Sequence, residues 1–303
     1  MFRGCITALV TPFARGRLDT AGLKKNVRFQ LGNQADGLLV GGSTGEAAAL
    51  SPQEWEQAVR TVAAEVRGRI PIIVGAGTNS THKSIVQVRR AKSLGASGLL
   101  VVAPYYVKPT QEGLYCHFRA LAEATDLPTI IYNIPGRTAV NVLPETIERL
   151  AKDCPSVVAV KEASGLPDQS SEILIRCGER ITVLSGDDTL TLSILSVGGA
   201  GVISVVSNIA PADVAAMVTS FRNGDARAAQ RVHLRLFPLT RAIFCETNPI
   251  PIKAAMEMLG HAAGEPRLPL TPLSEAGRKT VRLALERYGL LGPAAAKKRR
   301  AKR

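Results

Sequence analysis

The chain alternates between two hydrophobic rhythms. Short apolar runs, rich in β-branched residues and each closed by glycine or a polar residue, recur at about Ile6–Val10, Gly37–Val40, Ile70–Val74, Gly98–Val102, Thr129–Tyr132, Val157–Lys161, Ile181–Leu184 and Gly201–Val205. Unbroken runs of this length predict strands buried on both faces. Between them apolar residues recur at helical spacing, as over Pro52–Val66, His82–Leu94 and Leu143–Lys152. Ser51, with Glu54 three residues later, predicts a capping box at the start of the first of these helices. Strands alternating with helices imply βαβ units and a parallel sheet. Eight such strands in about 210 residues predict a closed (β/α)8 barrel, an α/β fold of the TIM type. The alternative, an open doubly wound sheet, lacks its signature, since no GxGxxG follows the first strand. After Val206 only helical patterns remain, at about 211–222, 225–245, 248–259 and 274–288. The expected organisation is a catalytic barrel over 1–224, a C-terminal helical region over 225–292 and a basic disordered tail over 293–303.

Composition narrows the partners. With 46% hydrophobic residues in 303, a substantial core is expected, and no apolar run approaches the roughly 20 residues that span a bilayer. The N-terminal apolar stretch, broken by Pro12, is too short for a secretory signal. The net charge of +13 is inflated by six cations in the tail, leaving +7 for the rest. No aromatic-basic interleaving accompanies it, so no specific nucleic acid and no membrane is expected as partner. The five cysteines are scattered and form no CxxC pair, which fits reduced thiols in a cytoplasmic protein. The histidines, at 82, 117, 233 and 261, lack metal-ligand spacing, and no metal is expected.

In a (β/α)8 barrel the chemistry sits at the C-terminal ends of the strands, so the residue closing each run is a candidate. Strand two ends in GGSTGE (41–46), whose glycines and hydroxyls suit an anionic group, although Ser43 and Glu46 also stand at capping-box spacing. Strand four ends in Pro104-Tyr105-Tyr106, phenols able to relay protons or merely to pack. Strand five ends in Tyr132, followed by Arg137 on a Pro-Gly turn, a guanidinium suited to a carboxylate or to a surface ion pair. Strand six ends in Lys161, with Val157 and Ala159 expected on the same face. An amine in an apolar barrel mouth is desolvated, which favours its neutral form, a nucleophile toward carbonyls. The competing reading pairs Lys161 with Glu162 at the rim. Strand seven ends in Gly186-Asp187-Asp188, where Asp188 reads as a helix N-cap rather than a metal ligand. Strand eight closes with Ile203-Ser204, the isoleucine lining a pocket.

Taken together, GGSTGE (41–46), PYYVKPTQEG (104–113), YNIPGRT (132–138), VKEAS (160–164), LSGDD (184–188), GVISV (201–205) and TNPIPIK (247–253) resemble the 4-hydroxy-tetrahydrodipicolinate (dihydrodipicolinate) synthase family of the N-acetylneuraminate lyase superfamily. The resemblance runs from Gly4 to about Leu291. It implies that Lys161 forms a Schiff base with pyruvate and that Ser43, Tyr106 and Tyr132 form a proton relay. It further implies that Thr44 binds the pyruvate carboxylate, that Arg137 binds the carboxylate of L-aspartate-4-semialdehyde, and that Ile203 and Gly186 line the pocket. A serine stands at 43 where the family usually has threonine. Tyr106 is expected to reach a neighbouring subunit's site, and the family is commonly a homotetramer, a dimer of dimers. No metal or organic cofactor is implied, because the covalent lysine imine is the electron sink.

Relatives in the superfamily cleave N-acetylneuraminate or 2-keto-3-deoxy sugar acids, or dehydrate such acids, and a silent sugar-acid-binding protein on the same barrel is the remaining alternative. Tyr106 and Arg137 favour the synthase. In lysine-inhibited relatives the effector site carries an acidic residue and histidines. Here Asn79 matches that site, but Lys83 stands at the acidic position and Pro52 and Trp55 at the histidine positions, which predicts weak or absent inhibition by lysine.

Overall fold

The computed structural model describes residues 2–292. Eight parallel strands close into a barrel: β1 (Gly4–Ala8), β2 (Gly37–Val40), β3 (Ile72–Ala76), β4 (Gly98–Val102), β5 (Thr129–Asn133), β6 (Val157–Glu162), β7 (Thr182–Ser185) and β8 (Gly201–Ser204), each beside its successor, with β8 returning to β1. The outer helices are α1 (Thr20–Leu31), α2 (Pro52–Val66), α3 (Thr81–Ser93), α4 (Gln111–Glu123), α5 (Pro144–Asp153), α6 (Pro167–Cys177), α7 (Thr191–Ser196) and α8 (Pro211–Arg222). The fold is a TIM barrel, as the strand-helix rhythm predicts.

The alternating pleat divides each strand between two cores. Ile6, Ala8, Leu39, Ile73, Leu100, Ile130, Ala159, Leu184 and Ile203 fill the barrel, while Leu38, Val74, Val101, Ile131, Val160 and Val183 pack outward on the helices. Most boundaries lie within two residues of the sequence pattern, and α2 opens with the expected capping box between Ser51 and Glu54. β3 begins at Ile72 rather than Ile70 because Pro71, with no N–H, cannot donate to the ladder. β6 departs more. Its register with β5 shifts between Thr129 and Ile130, so Val157 packs in the outer core while Ala159 lies inside. Val157, Ala159 and Lys161 therefore do not share one face; the irregularity at Val158 resets the alternation, and only Ala159 lies in line with the lysine.

Beyond α8 come α9 (Ala226–Ile243), α10 (Ile250–Met258) and α11 (Glu275–Tyr288). Asp225 caps α9 by accepting from the Ala228 amide at 2.8 Å. Leu236, Leu239, Ile252, Met256, Val281 and Leu285 share one core with Val214 and Val218 of α8 and with Cys5 and Val202 of the barrel. The helical extension is thus packed into the barrel wall and not hung from it. The expected basic tail, 293–303, lies outside the described residues.

Candidate active site

Lys161 ends its strand inside the barrel mouth. It is 6% exposed, and Ala159, two residues earlier, lies in the barrel filling beneath it. Across the sheet Lys161 is registered opposite Tyr132, itself 5% exposed, and the lysine Nζ lies 4.1 Å from the centre of the phenol ring. Among the described residues no carboxylate pairs with Lys161. Glu162, the neighbour that would have made a rim ion pair, points to the opposite face. There it accepts from Gln169 Nε2 at 2.9 Å, Asn133 Nδ2 at 3.1 Å and the Ser164 amide at 2.6 Å. The pleat decides between the two readings of VKE: one residue's difference in sequence sends lysine and glutamate to opposite sides of the sheet.

Gly186 lies alongside the lysine stem. A Cβ added there would stand 3.1 Å from Lys161 Cε and 2.7 Å from Ala163 Cβ, so only glycine leaves the stem free. Its amide donates to the Glu162 carbonyl at 2.7 Å, which ties β7 to β6 at the site. Ile203 is fully buried in the barrel filling, at the end of β8. Next to it, Asp188 accepts from Ser204 Oγ and from the Val205 amide at 2.9 Å. Asp188 does not cap a helix as the sequence suggests. Asp187 does, accepting from the Thr189 amide at 2.8 Å, because the turn after Gly186 directs the first carboxylate outward and the second into the core. Burial pushes the Asp188 carboxyl up to about 6.

The GGSTGE loop approaches β3 closely: a Cβ on Gly75 would lie 2.1 Å from the Gly41 carbonyl oxygen. Within the loop, Thr44 is buried and Ser43 half-buried. Thr44 Oγ1 accepts from Asn248 Nδ2 at 3.0 Å. The capping-box reading of Ser43 and Glu46 is wrong. Glu46 adopts left-handed backbone (φ 53°) before a single 3-10 turn, with no side-chain cap, and its carboxylate meets Lys253 Nζ at 2.6 Å. Arg137 is exposed on a one-turn helix, Pro135–Thr138, and Arg137 Nη2 donates to the Asn248 carbonyl at 3.0 Å. Its partner is neutral, and among the described residues it makes no surface ion pair.

Tyr106 is the outlier. It stands 85% exposed on left-handed backbone (φ 75°), beside exposed Tyr105 and Val107, in hydrogen-bond or ring contact with no described residue. Lys161, Tyr132, Gly186 and Ile203 therefore gather at the barrel mouth, Thr44 and Arg137 are linked through Asn248, and Tyr106 points away from its own chain. Asn248 is the residue that strand-end reasoning missed. It belongs to the helical extension, and its only sequence signal is the TNPIPIK segment.

The matching family model is described as the dihydrodipicolinate synthetase family and covers residues 1–288. The chain belongs to that family. A 4-hydroxy-tetrahydrodipicolinate synthase from Pelobacter propionicus is 49% identical over 291 residues, 96% of this chain and all of the relative. A synthase of the same name from Thermomicrobium roseum is 50% identical, covering 94% of each chain. The crystal structure of dihydrodipicolinate synthase from Thermotoga maritima superposes with a TM-score of 0.94 at 47% identity, over 96% of this chain and all of that one. The relatives named here, matched along nearly their whole length, are all synthases of this family.

Proposed function

We propose that this chain is a lyase that condenses pyruvate with L-aspartate-4-semialdehyde to give 4-hydroxy-tetrahydrodipicolinate, in the route to diaminopimelate and lysine. The observation that carries the reading is Lys161: a buried amine with no counter-ion among the described residues, at the end of the sixth barrel strand and against Tyr132. The comparison supporting it is full-length similarity to enzymes named for that reaction.

In the proposed mechanism the neutral Lys161 amine adds to the ketone carbon of pyruvate, and the carbinolamine loses water to form an imine. Loss of a methyl proton gives the enamine, whose carbon attacks the aldehyde of the second substrate. The semialdehyde's own amine then adds to the imine carbon and expels Lys161, closing the ring. Tyr132 and Ser43, with Tyr106 supplied by a neighbouring subunit, move the protons of these steps. Thr44 holds the pyruvate carboxylate, Arg137 that of the semialdehyde, and Gly186 and Ile203 shape the pocket between them. The chemistry needs no cofactor, since the protonated imine is itself the electron sink. Exposure of Tyr106 and its neighbours supports assembly, and a homotetramer acting in the cytoplasm is the proposed state; the five unpaired cysteines fit a reducing compartment.

The test is a substrate panel. Purified enzyme turns over pyruvate plus aspartate semialdehyde and leaves N-acetylneuraminate and 2-keto-3-deoxy sugar acids uncleaved. Faster cleavage of a sugar acid than condensation sinks the reading.

A further inference from the structure

The proposed chemistry leaves one strongly charged, fully buried group unused. Lys253 Nζ and Glu46 Oε1 lie 2.6 Å apart, with both side chains 1% exposed. The ammonium also donates to the carbonyls of Thr11 at 3.3 Å and Glu265 at 3.2 Å, and sits 4.4 Å from the centre of the Phe13 ring. The second oxygen of Glu46 accepts from the Arg267 amide at 2.8 Å. Arg267 in turn donates to the Ala49 carbonyl at 3.0 Å and grips Glu54, at the start of α2, through both its carboxylate oxygens at 2.6 and 2.7 Å. Desolvation draws the Lys253 ammonium below the ordinary lysine range. A buried pair of this kind adds little net stability over an apolar pair of similar size, so stability alone is a poor reason for it.

Its placement suggests a better one. Glu46 closes the loop that carries Ser43 and Thr44, and it is held in left-handed backbone that a non-glycine residue adopts only when its surroundings impose it. Lys253 lies on α10, five residues after Asn248, whose amide holds the Thr44 hydroxyl. The loop is thus fastened twice to one segment of the extension: at its middle through Thr44–Asn248 and at its end through Glu46–Lys253.

We propose that Glu46 and Lys253 are positioning residues for the pyruvate site, an ionic clamp by which the C-terminal helices set where the Ser43 and Thr44 hydroxyls stand. The inference rests on the reading of Thr44 as the residue that meets the pyruvate carboxylate. The clamp touches neither substrate. Loosening it lets the loop drift from its hydroxyl geometry while Lys161, on β6, and Arg137, on its own turn, stay in place.

The test compares the wild type with the double variant E46Q/K253M, which removes both charges and so avoids leaving one buried alone, and with K253R, which keeps the charge in altered geometry. Steady-state kinetics are measured for each substrate alongside thermal unfolding. The double variant is expected to stay folded, with the KM for pyruvate raised on the order of tenfold and the KM for aspartate semialdehyde changed less than about twofold. K253R is expected to raise the pyruvate KM by roughly threefold, and it answers the question alone if the double variant does not fold. A wild-type pyruvate KM in the folded variants, or equal rises for both substrates, overturns the clamp. A wild type that fails to condense the two substrates overturns the proposed function instead, which keeps the two failures apart.

Discussion

Lys161 and Tyr132 face each other across adjacent strands, with the lysine nitrogen 4.1 Å from the centre of the phenol ring. The amine stands against the ring face, and among the described residues no carboxylate pairs with it. Removing the amine as Lys161→Ala is expected to lower kcat on the order of a thousandfold or more, and Tyr132→Phe by roughly a hundredfold or more. Both variants are expected to fold, because Tyr132→Phe loses only a hydroxyl and Lys161→Ala shortens a side chain at the barrel mouth, leaving the filling around Ala159 in place. Steady-state assays beside circular dichroism check this.

Among the described residues Arg137 reaches no carboxylate, and it rests on the Asn248 carbonyl. Arg137→Ala is expected to raise the KM for aspartate semialdehyde on the order of 10- to 100-fold, the loss of one charge-assisted contact, with the pyruvate KM nearly unchanged. Arg137→Lys recovers only part, since a point charge does not reproduce the fork. An equal rise for both substrates would show that the arginine shapes the whole site.

Asn248 separates the two functions of its segment. Its side chain holds Thr44 and its backbone carbonyl holds Arg137. Asn248→Ala deletes only the first contact and is expected to raise the pyruvate KM several-fold, about the worth of one neutral hydrogen bond, while the semialdehyde KM stays within about twofold.

His117 predicts a pH response of the fold. It is 4% exposed, its Nδ1 lies 2.9 Å from Thr81 Oγ1, and burial pushes it down to about 4 from an ordinary 6.5. The unfolded chain therefore binds this proton more readily than the native one. Stability is intact above pH 6.5 and falls as pH drops toward 4, by up to about 3 kcal/mol from this group. Thermal unfolding of the wild type and His117→Asn across that window checks it; the variant is expected to show the shallower slope.

Trp55 bears on feedback. It is buried, and its indole donates to the Gly75 carbonyl at 3.1 Å, while Lys83 is exposed in the first turn of α3. Neither group offers lysine an acceptor, and a cation at 83 opposes its ammonium. Weak or absent inhibition by lysine is expected; inhibition by submillimolar lysine would refute it.

The barrel was readable because its strands are buried on both faces, so apolar runs and their closing residues mark strand and site together. Lys161, Tyr132, Gly186 and Ile203 could be found by that rule. Three features could not. The shift at Val158 breaks the alternation without any glycine or proline to announce it. Asp187 and Asp188 are chemically equal, and only the turn decides which one caps. Glu46 fits a capping box locally, but its partner is Lys253, a residue 207 positions away, and no local pattern encodes a contact so distant. Asn248 escapes for the same reason: it enters the site from a helical segment, outside the strand ends.

The central claim is that Lys161 forms an imine with pyruvate. Borohydride reduction of the enzyme with pyruvate, followed by peptide mass spectrometry, tests it most directly. A reduced pyruvyl adduct on Lys161, absent without pyruvate and absent in Lys161→Ala, is the predicted result. An unmodified Lys161, or an adduct on another lysine with activity lost in step, would contradict the account.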